Sequence, residues 1–311
     1  MIENKFEVID AHCHIYPEKI VDRAVAGTDD FYSTKAACRG VAEELIQIGD
    51  RVGIDRFVVH SVATTPHQVE RINAFIAAEV AKAPNRFVGL GAAHPDCTDQ
   101  DAVIEQIKAL GLHGIKIHPD IQGFAIDDPR MMRVYELCER EGLVVLMHTG
   151  DYRYDYSNPN RLLPVLKAFP KLTVVGAHFG GWSVWDDASR ELCDIPNLYV
   201  DCSSTFPFAG NDLALGERLI HRYGAERVMF GSDFPMWSPE EELKTFMQLN
   251  LTDEERKMIL AENAKRISLP LSNNKYNPIK TNDVKPRIKP FAKPILISFE
   301  ISLITLLLLI F

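Results

Sequence analysis

From Phe6 to about Ile267 the chain alternates short apolar runs, rich in β-branched residues, with longer stretches whose apolar residues recur every three or four positions. The short runs predict strands of a parallel sheet and the long stretches predict amphipathic helices. Eight runs are legible: EVIDAH (7–12), RFVVHSV (56–62), RFVGLGAAH (86–94), HGIKIHP (113–119), LVVLMHT (143–149), LTVVGAHF (172–179), LYVDCS (198–203) and RVMFGSDF (227–234). Helical stretches such as QVERINAFIAAEVAKA, AVIEQIKALG and PRMMRVYELCEREG lie between them. Eight strands alternating with helical crossovers predict an α/β fold, a single-domain (β/α)8 TIM barrel over residues 1–269. Gly53, Gly111, Gly142 and Gly224 fall where helices should end, and Pro119, Pro129 and Pro159 fall in loops or at helix starts. The segment from Pro17 to Cys38 reads as a long loop inserted after the first strand, placed over the barrel mouth as a lid or an ordinary loop.

Near Leu269 the pattern stops. Residues 270–294 carry Pro270, Pro278, Pro286, Pro290 and Pro294 with mostly basic charges, which predicts a linker or disordered tail. Residues 295–311, ILISFEISLITLLLLIF, are apolar but interrupted by Glu300 and slightly shorter than the roughly 20 residues of a spanning helix. A marginal C-terminal membrane anchor, a peptide that packs on a partner, and an extension foreign to the enzyme are all open readings of that segment. If it inserts, Lys285, Arg287, Lys289 and Lys293 keep the barrel on the cytoplasmic side.

The net charge of -9 argues against a general nucleic-acid binder, which needs a basic surface. Six cysteines without CxxC or CxxxC spacing read as reduced structural thiols. With no charged n-region followed by a long apolar stretch at the N-terminus, the expectation is a cytoplasmic enzyme, membrane-associated only if residues 295–311 insert. A homo-oligomer stays open. The motifs GxxxxGK[ST], GxSxG and a helix-opening GxGxxG are absent, so nucleotide-cofactor and serine-hydrolase readings lack their signatures and no organic cofactor is expected.

The candidate chemistry sits at strand ends. His12 and His14 are two apart, so a strand sends both imidazoles to one face while Cys13 points away. The fourth, fifth and sixth runs end in His118, His148 and His178, and the eighth ends in Asp233. Barrel enzymes place their chemistry at this end, and imidazoles with a carboxylate suit an open divalent metal site.

Together the motifs IDAHCH, VLMHTG, VVGAHFGG and MFGSDFPM make residues 6–267 resemble the amidohydrolase superfamily, in particular the amidohydrolase-related branch that includes aminocarboxymuconate semialdehyde decarboxylase and resorcylate decarboxylases. The resemblance implies that His12, His14, His148 and Asp233 hold one divalent metal, with His178 beside it as a catalytic group. Zinc is the expected ion, with manganese and iron also suited to these donors. Asp233 is expected to act catalytically as well, accepting a proton from a metal-activated water and passing it to the leaving group, while His178 steers the water or stabilises a developing oxyanion.

His118 is assigned to substrate contact or to a place behind the metal ligands, and Lys116 to the barrel interior, with a lysine-bridged pair of metals as the alternative. Asp10, two residues before His12, is expected on the same face as a structural hydrogen-bond acceptor. His60 and His94 also end strands and are expected to line the pocket. Arg153, among Tyr152, Tyr154 and Tyr156, is a candidate clamp for a substrate carboxylate. The leading functional expectation is a metal-dependent hydrolase acting on an amide, lactone or ester of a small carboxylated molecule. The alternatives are a non-oxidative decarboxylase of the same branch and a non-catalytic barrel scaffold that presents its tail.

Overall fold

The computed structural model describes residues 5–268. The expectations for residues 270–311 lie outside the described residues. The eight apolar runs form β1 (Ile9–His14), β2 (Arg56–His60), β3 (Phe87–Gly89), β4 (Gly91–Ala92), β5 (Gly114–Ile117), β6 (Val144–Met147), β7 (Val174–Gly176), β8 (Leu198–Asp201) and β9 (Val228–Met229). Around them run α1 (Val21–Tyr32), α2 (Ala42–Val52), α3 (Val69–Lys82), α4 (Gln100–Ala109), α5 (Pro119–Gln122), α6 (Pro129–Glu141), α7 (Pro159–Ala168), α8 (Trp185–Leu192), α9 (Thr205–Phe208), α10 (Leu213–Tyr223), α11 (Pro239–Phe246), α12 (Asp253–Lys257) and α13 (Asn263–Ser268). A π-helical stretch, Met258–Glu262, joins α12 to α13.

Neighbours in the chain pair in parallel, β1-β2-β3 in one ladder and β4 through β9 in another. At the last seam, backbone N–H groups close the ring: Ala11 donates to the Phe230 carbonyl at 2.9 Å and Asp233 to the His12 carbonyl at 2.9 Å. The TIM-barrel reading therefore holds.

The third run departs from expectation, because 86–94 is not one strand. It breaks at Leu90 into β3, which pairs with β2, and β4, which pairs with β5. Helices press onto this stave too closely for a side chain. A Cβ on Gly89 would lie 2.9 Å from Val80 Cγ2 of α3, and one on Gly91 would lie 2.8 Å from Ile107 Cγ1 of α4. At the bend, Asn73 Oδ1 accepts the Ala92 N–H at 2.7 Å.

Strand alternation sorts the apolar residues into two layers. Ile9, Ala11, Val58, Leu146, Val175 and Met229 fill the barrel interior, where Ala261 and Ala264 of the C-terminal helical segment also pack. A larger cluster, including Phe57, Ile115, Val145 and Val174, lies between strands and helices. Full burial stabilises each such side chain by about 1.5–3 kcal/mol. The interior is thus apolar below and polar at the mouth.

The expected loop after β1 is instead largely α1. Gly27 and Thr28 in its middle weaken the helical periodicity in the sequence, since both are poor helix formers. Asp22 in the first turn suits the helix dipole, and Ser33 ends the helix in the left-handed conformation.

Candidate active site

The path of β1 decides which residues reach the mouth. Its ladder with β2 is irregular between Asp10 and Cys13, where one residue is accommodated without breaking the strand. Ile9 and Ala11 therefore pack inward, and His12 and His14 follow them into the cavity while Cys13 joins the outer layer. Asp10 leaves the inner face, which corrects the expectation of strict alternation. Its Oδ1 accepts the N–H groups of His12 at 3.2 Å and Ser232 at 2.9 Å, so the structural role stands.

His12, His14 and Asp233 converge. Asp233 Oδ1 lies 3.3 Å from His12 Nε2 and 3.4 Å from His14 Nε2, and the two nitrogens are 3.3 Å apart. On its other side, His12 donates its Nδ1 hydrogen to Asp201 Oδ2 at 3.0 Å, which leaves Nε2 as a bare lone pair. A lone pair and a carboxylate oxygen across 3.3 Å repel unless a cation stands between them, so the donor set fits a metal ion. The Lys116 ammonium, 3.0 Å from His12 Nε2, supplies one positive charge.

Burial lowers His12 to about 4, with Lys116 adding to the effect. Burial also lowers Lys116, to about 8, against the pull of Asp233 and Asp201. Asp201 is pushed up by burial, but facing His12 and His178 and the hydrogen bonds it accepts hold it below the usual carboxylate range. Those bonds come from His12, from Ser203, and from the backbone N–H groups of His178 and Ser203, both at 3.1 Å.

The two residues expected to act chemically both have left-handed backbones, with φ of 58° at His178 and 60° at Asp233. For residues other than glycine this conformation is uncommon and costs of order 1 kcal/mol or more, and it turns these side chains off the strand ends into the mouth. His178 donates from Nδ1 to the Ser203 carbonyl at 2.9 Å, so Nε2 is the nitrogen left for chemistry. Its ring stands 5.2 Å from that of His12 and 5.0 Å from that of His148.

His118 and His148 form a second group. Their rings stack at 4.0 Å with 6° between planes, and Tyr32 of α1 sets its hydroxyl 2.8 Å from His118 Nε2 and 3.4 Å from His148 Nε2. His148 Nε2 also reaches the Gly150 carbonyl at 3.1 Å and lies 3.7 Å from Asp120 Oδ2. A hydrogen on Nε2 donated to that carbonyl leaves Nδ1 as the free lone pair of His148.

Arg153 does not stand where a substrate clamp would. Its guanidinium binds both oxygens of buried Asp151, donates to the Phe31 carbonyl at 2.8 Å, and stacks near Phe31, Tyr32 and Trp182. It fastens the end of α1 to the β6 loop. Neither His94 nor His60 lines the cavity, contrary to expectation, and His60 is buried behind it against His12 and His14.

The cavity measures about 720 Å³ and is lined by His12, His14, Lys116, His178 and Asp233 at its base, with Tyr32 above. Aromatic groups wall it: Trp182 meets Tyr32 at 5.2 Å and Phe208 at 4.9 Å, both edge to face. Sequence reasoning missed Asp201, Ser203, Ser204 and Tyr32. Asp201 was findable, because the seventh run, LYVDCS, carries a carboxylate at the same level as the strand-end histidines. All six cysteines are free.

Known proteins share this fold and its family. A family model described as amidohydrolase matches residues 9–267. Over 245 residues, covering 66% of this chain and 67% of the relative, the chain is 26% identical to 2-amino-3-carboxymuconate-6-semialdehyde decarboxylase of Dictyostelium discoideum. Among solved structures, an uncharacterised TIM-barrel protein from Bordetella bronchiseptica superposes with a TM-score of 0.68 at 23% identity, covering 84% of this chain and 98% of that one. A dihydroxybenzoic acid decarboxylase from Polaromonas sp. JS666, holding manganese and 2-nitroresorcinol, gives 0.65 at 17% identity, with 84% and 96% covered. With its family model spanning the whole barrel, this chain belongs to the amidohydrolase family.

Proposed function

We propose that the protein is a metal-dependent, non-oxidative decarboxylase of a small aromatic or conjugated carboxylate. The observation that carries this reading is the convergence of His12, His14 and Asp233, at 3.3–3.4 Å, in the base of an aromatic-walled cavity. The hydrolase expectation gives way because relatives named for an activity include decarboxylases, one of a carboxymuconate semialdehyde and one of a dihydroxybenzoic acid. Both chemistries use the same donors, so the substrate decides between them.

His12, His14 and Asp233, with His148, would hold one divalent ion. When bound, the ion supplies positive charge that orients a substrate carboxylate and polarises it. Manganese joins zinc as an ion to test, since no thiolate stands among these donors and a related decarboxylase holds manganese.

The chain's own groups do the rest. Ser204 donates to Asp233 Oδ2 at 2.6 Å and accepts from Trp237 Nε1 at 2.9 Å, which holds the carboxylate's second oxygen away from the cluster. Tyr32 and Trp182 present flat faces and edges to a planar substrate and exclude water. His178 Nε2 delivers a proton to the carbon that bears the carboxylate. The carbon–carbon bond then breaks, its electron pair returns to the conjugated system, and carbon dioxide leaves. Solvent restores the proton to His178. Arg153 serves as a fastener of α1 in this scheme, and His118 as a wall that touches substrate.

The test is to load metal-free protein with manganese or zinc and offer hydroxybenzoates beside lactones and amides. Carbon dioxide release with no water oxygen in the product is the expected result. Turnover of a lactone or amide without carbon dioxide would overturn the reading in favour of the hydrolase.

A further inference from the structure

His60 closes β2 level with His14 in the β1–β2 ladder, and paired residues of parallel strands face the same side. The ring is fully buried, and neither of its nitrogens has a hydrogen-bond partner. A polar group in that condition is costly unless something outside the polypeptide satisfies it. The nearest hydroxyl in sequence, Ser61, is already committed to the Ile15 carbonyl. What does surround His60 is the metal-type cluster. Its ring stands 4.4 Å from that of His14 at 88° and 5.1 Å from that of His12 at 66°. The three residues each offer one donor atom, all within 4.8 Å of one another.

We propose that His60 is a further imidazole donor to the cation at His12, His14 and Asp233, which makes β2 a ligand strand alongside β1. The inference rests on the metal-centre reading given above, and adds to it a residue that the strand-end motifs do not mark. His94, at the end of the next stave, provides the internal contrast. It also ends a stave, but its Nδ1 accepts the Asp96 N–H at 3.2 Å, so it needs no ion. An imidazole is the side chain a metal would need at position 60. Gln or Asn there would satisfy hydrogen bonds but bind a divalent ion poorly.

The experiment compares metal-free wild type with His60→Gln and His60→Ala, titrated with Mn²⁺ and Co²⁺ against a chelator of known affinity. Loss of affinity beyond the about 10–100-fold typical of outer-shell changes is expected. In the Co²⁺ form, His60→Gln should also lose one hyperfine-shifted ring N–H resonance. Wild-type affinity with an unchanged set of shifted resonances in His60→Gln would overturn the proposal. Should both variants fail to fold, wild-type Co²⁺ protein decides, since His60 ligation adds one shifted imidazole to those of the other ligands and its absence overturns the inference. Wild type that takes up no metal would bring down the metal-centre reading itself, whereas metal uptake without His60 brings down this inference alone.

Discussion

On the β1–β9 side of the mouth, His12 and His14 turn their Nε2 atoms to one carboxylate oxygen, whereas on the β5–β6 side His118 and His148 lie flat against each other. The residue type is the same, and all but the partly exposed His14 are buried. The difference lies in the partners. Asp201 fixes the hydrogen of His12 on Nδ1 and frees the lone pair of Nε2, while Tyr32 and the Gly150 carbonyl occupy Nε2 atoms of the other pair. What sits behind a strand-end histidine thus decides which nitrogen it offers to the mouth.

The largest expected effect breaks the first group. Asp233→Asn removes the charge between two imidazoles, and loss of one partner from such a buried cluster costs about 3 kcal/mol or more. Metal affinity, read by chelator competition, and turnover should fall together by about 10²–10³-fold. Asp201→Asn is the sharper probe, because it leaves every proposed ligand in place. It should weaken metal binding by about 10–100-fold through the His12 tautomer alone. An unchanged affinity would mean that the second carboxylate does not set the ligand.

The second group should respond to pH instead. Burial raises Asp120, beside His148, to about 6 from 3.8. The folded state then binds more protons than the unfolded one across that window, so this group's stabilisation is full below about pH 3.8 and is lost as pH rises through about 6. Melting temperatures of metal-free wild type and Asp120→Asn from pH 4 to 6.5 should show that decline as a difference, the wild type losing about 2 kcal/mol relative to the variant. An equal slope in the variant would assign it elsewhere. The smallest effect belongs to Tyr32→Phe, which removes one hydroxyl from the His118–His148 pair. It should leave metal affinity unchanged and raise KM by a few-fold, about 1 kcal/mol.

Much of this was legible before any coordinates. Periodicity placed all eight staves, because burial on both faces of a parallel sheet writes near-continuous apolar runs. Strand ends placed His12, His14, His148, His178 and Asp233 at one mouth. Three features escaped for physical reasons. The irregularity between Asp10 and Cys13 inverts the strict alternation from which the face of Asp10 was read. Tyr32 arrives on a helix whose Gly27 and Thr28 blur its period. Arg153 looked free because its chemistry suits carboxylates, yet the carboxylate it binds is Asp151, two residues away. The break at Leu90 had a visible signal in Gly89 and Gly91, and the helices pressing on them supply the cause.

Ala261 and Ala264, packed against the interior cluster, give the barrel a floor, and small side chains there let the helix seat closely. Traffic is the consequence. In the proposed reaction, reactant and both products would share the doorway beneath α1, whose far end Arg153 ties to the loop beyond β6.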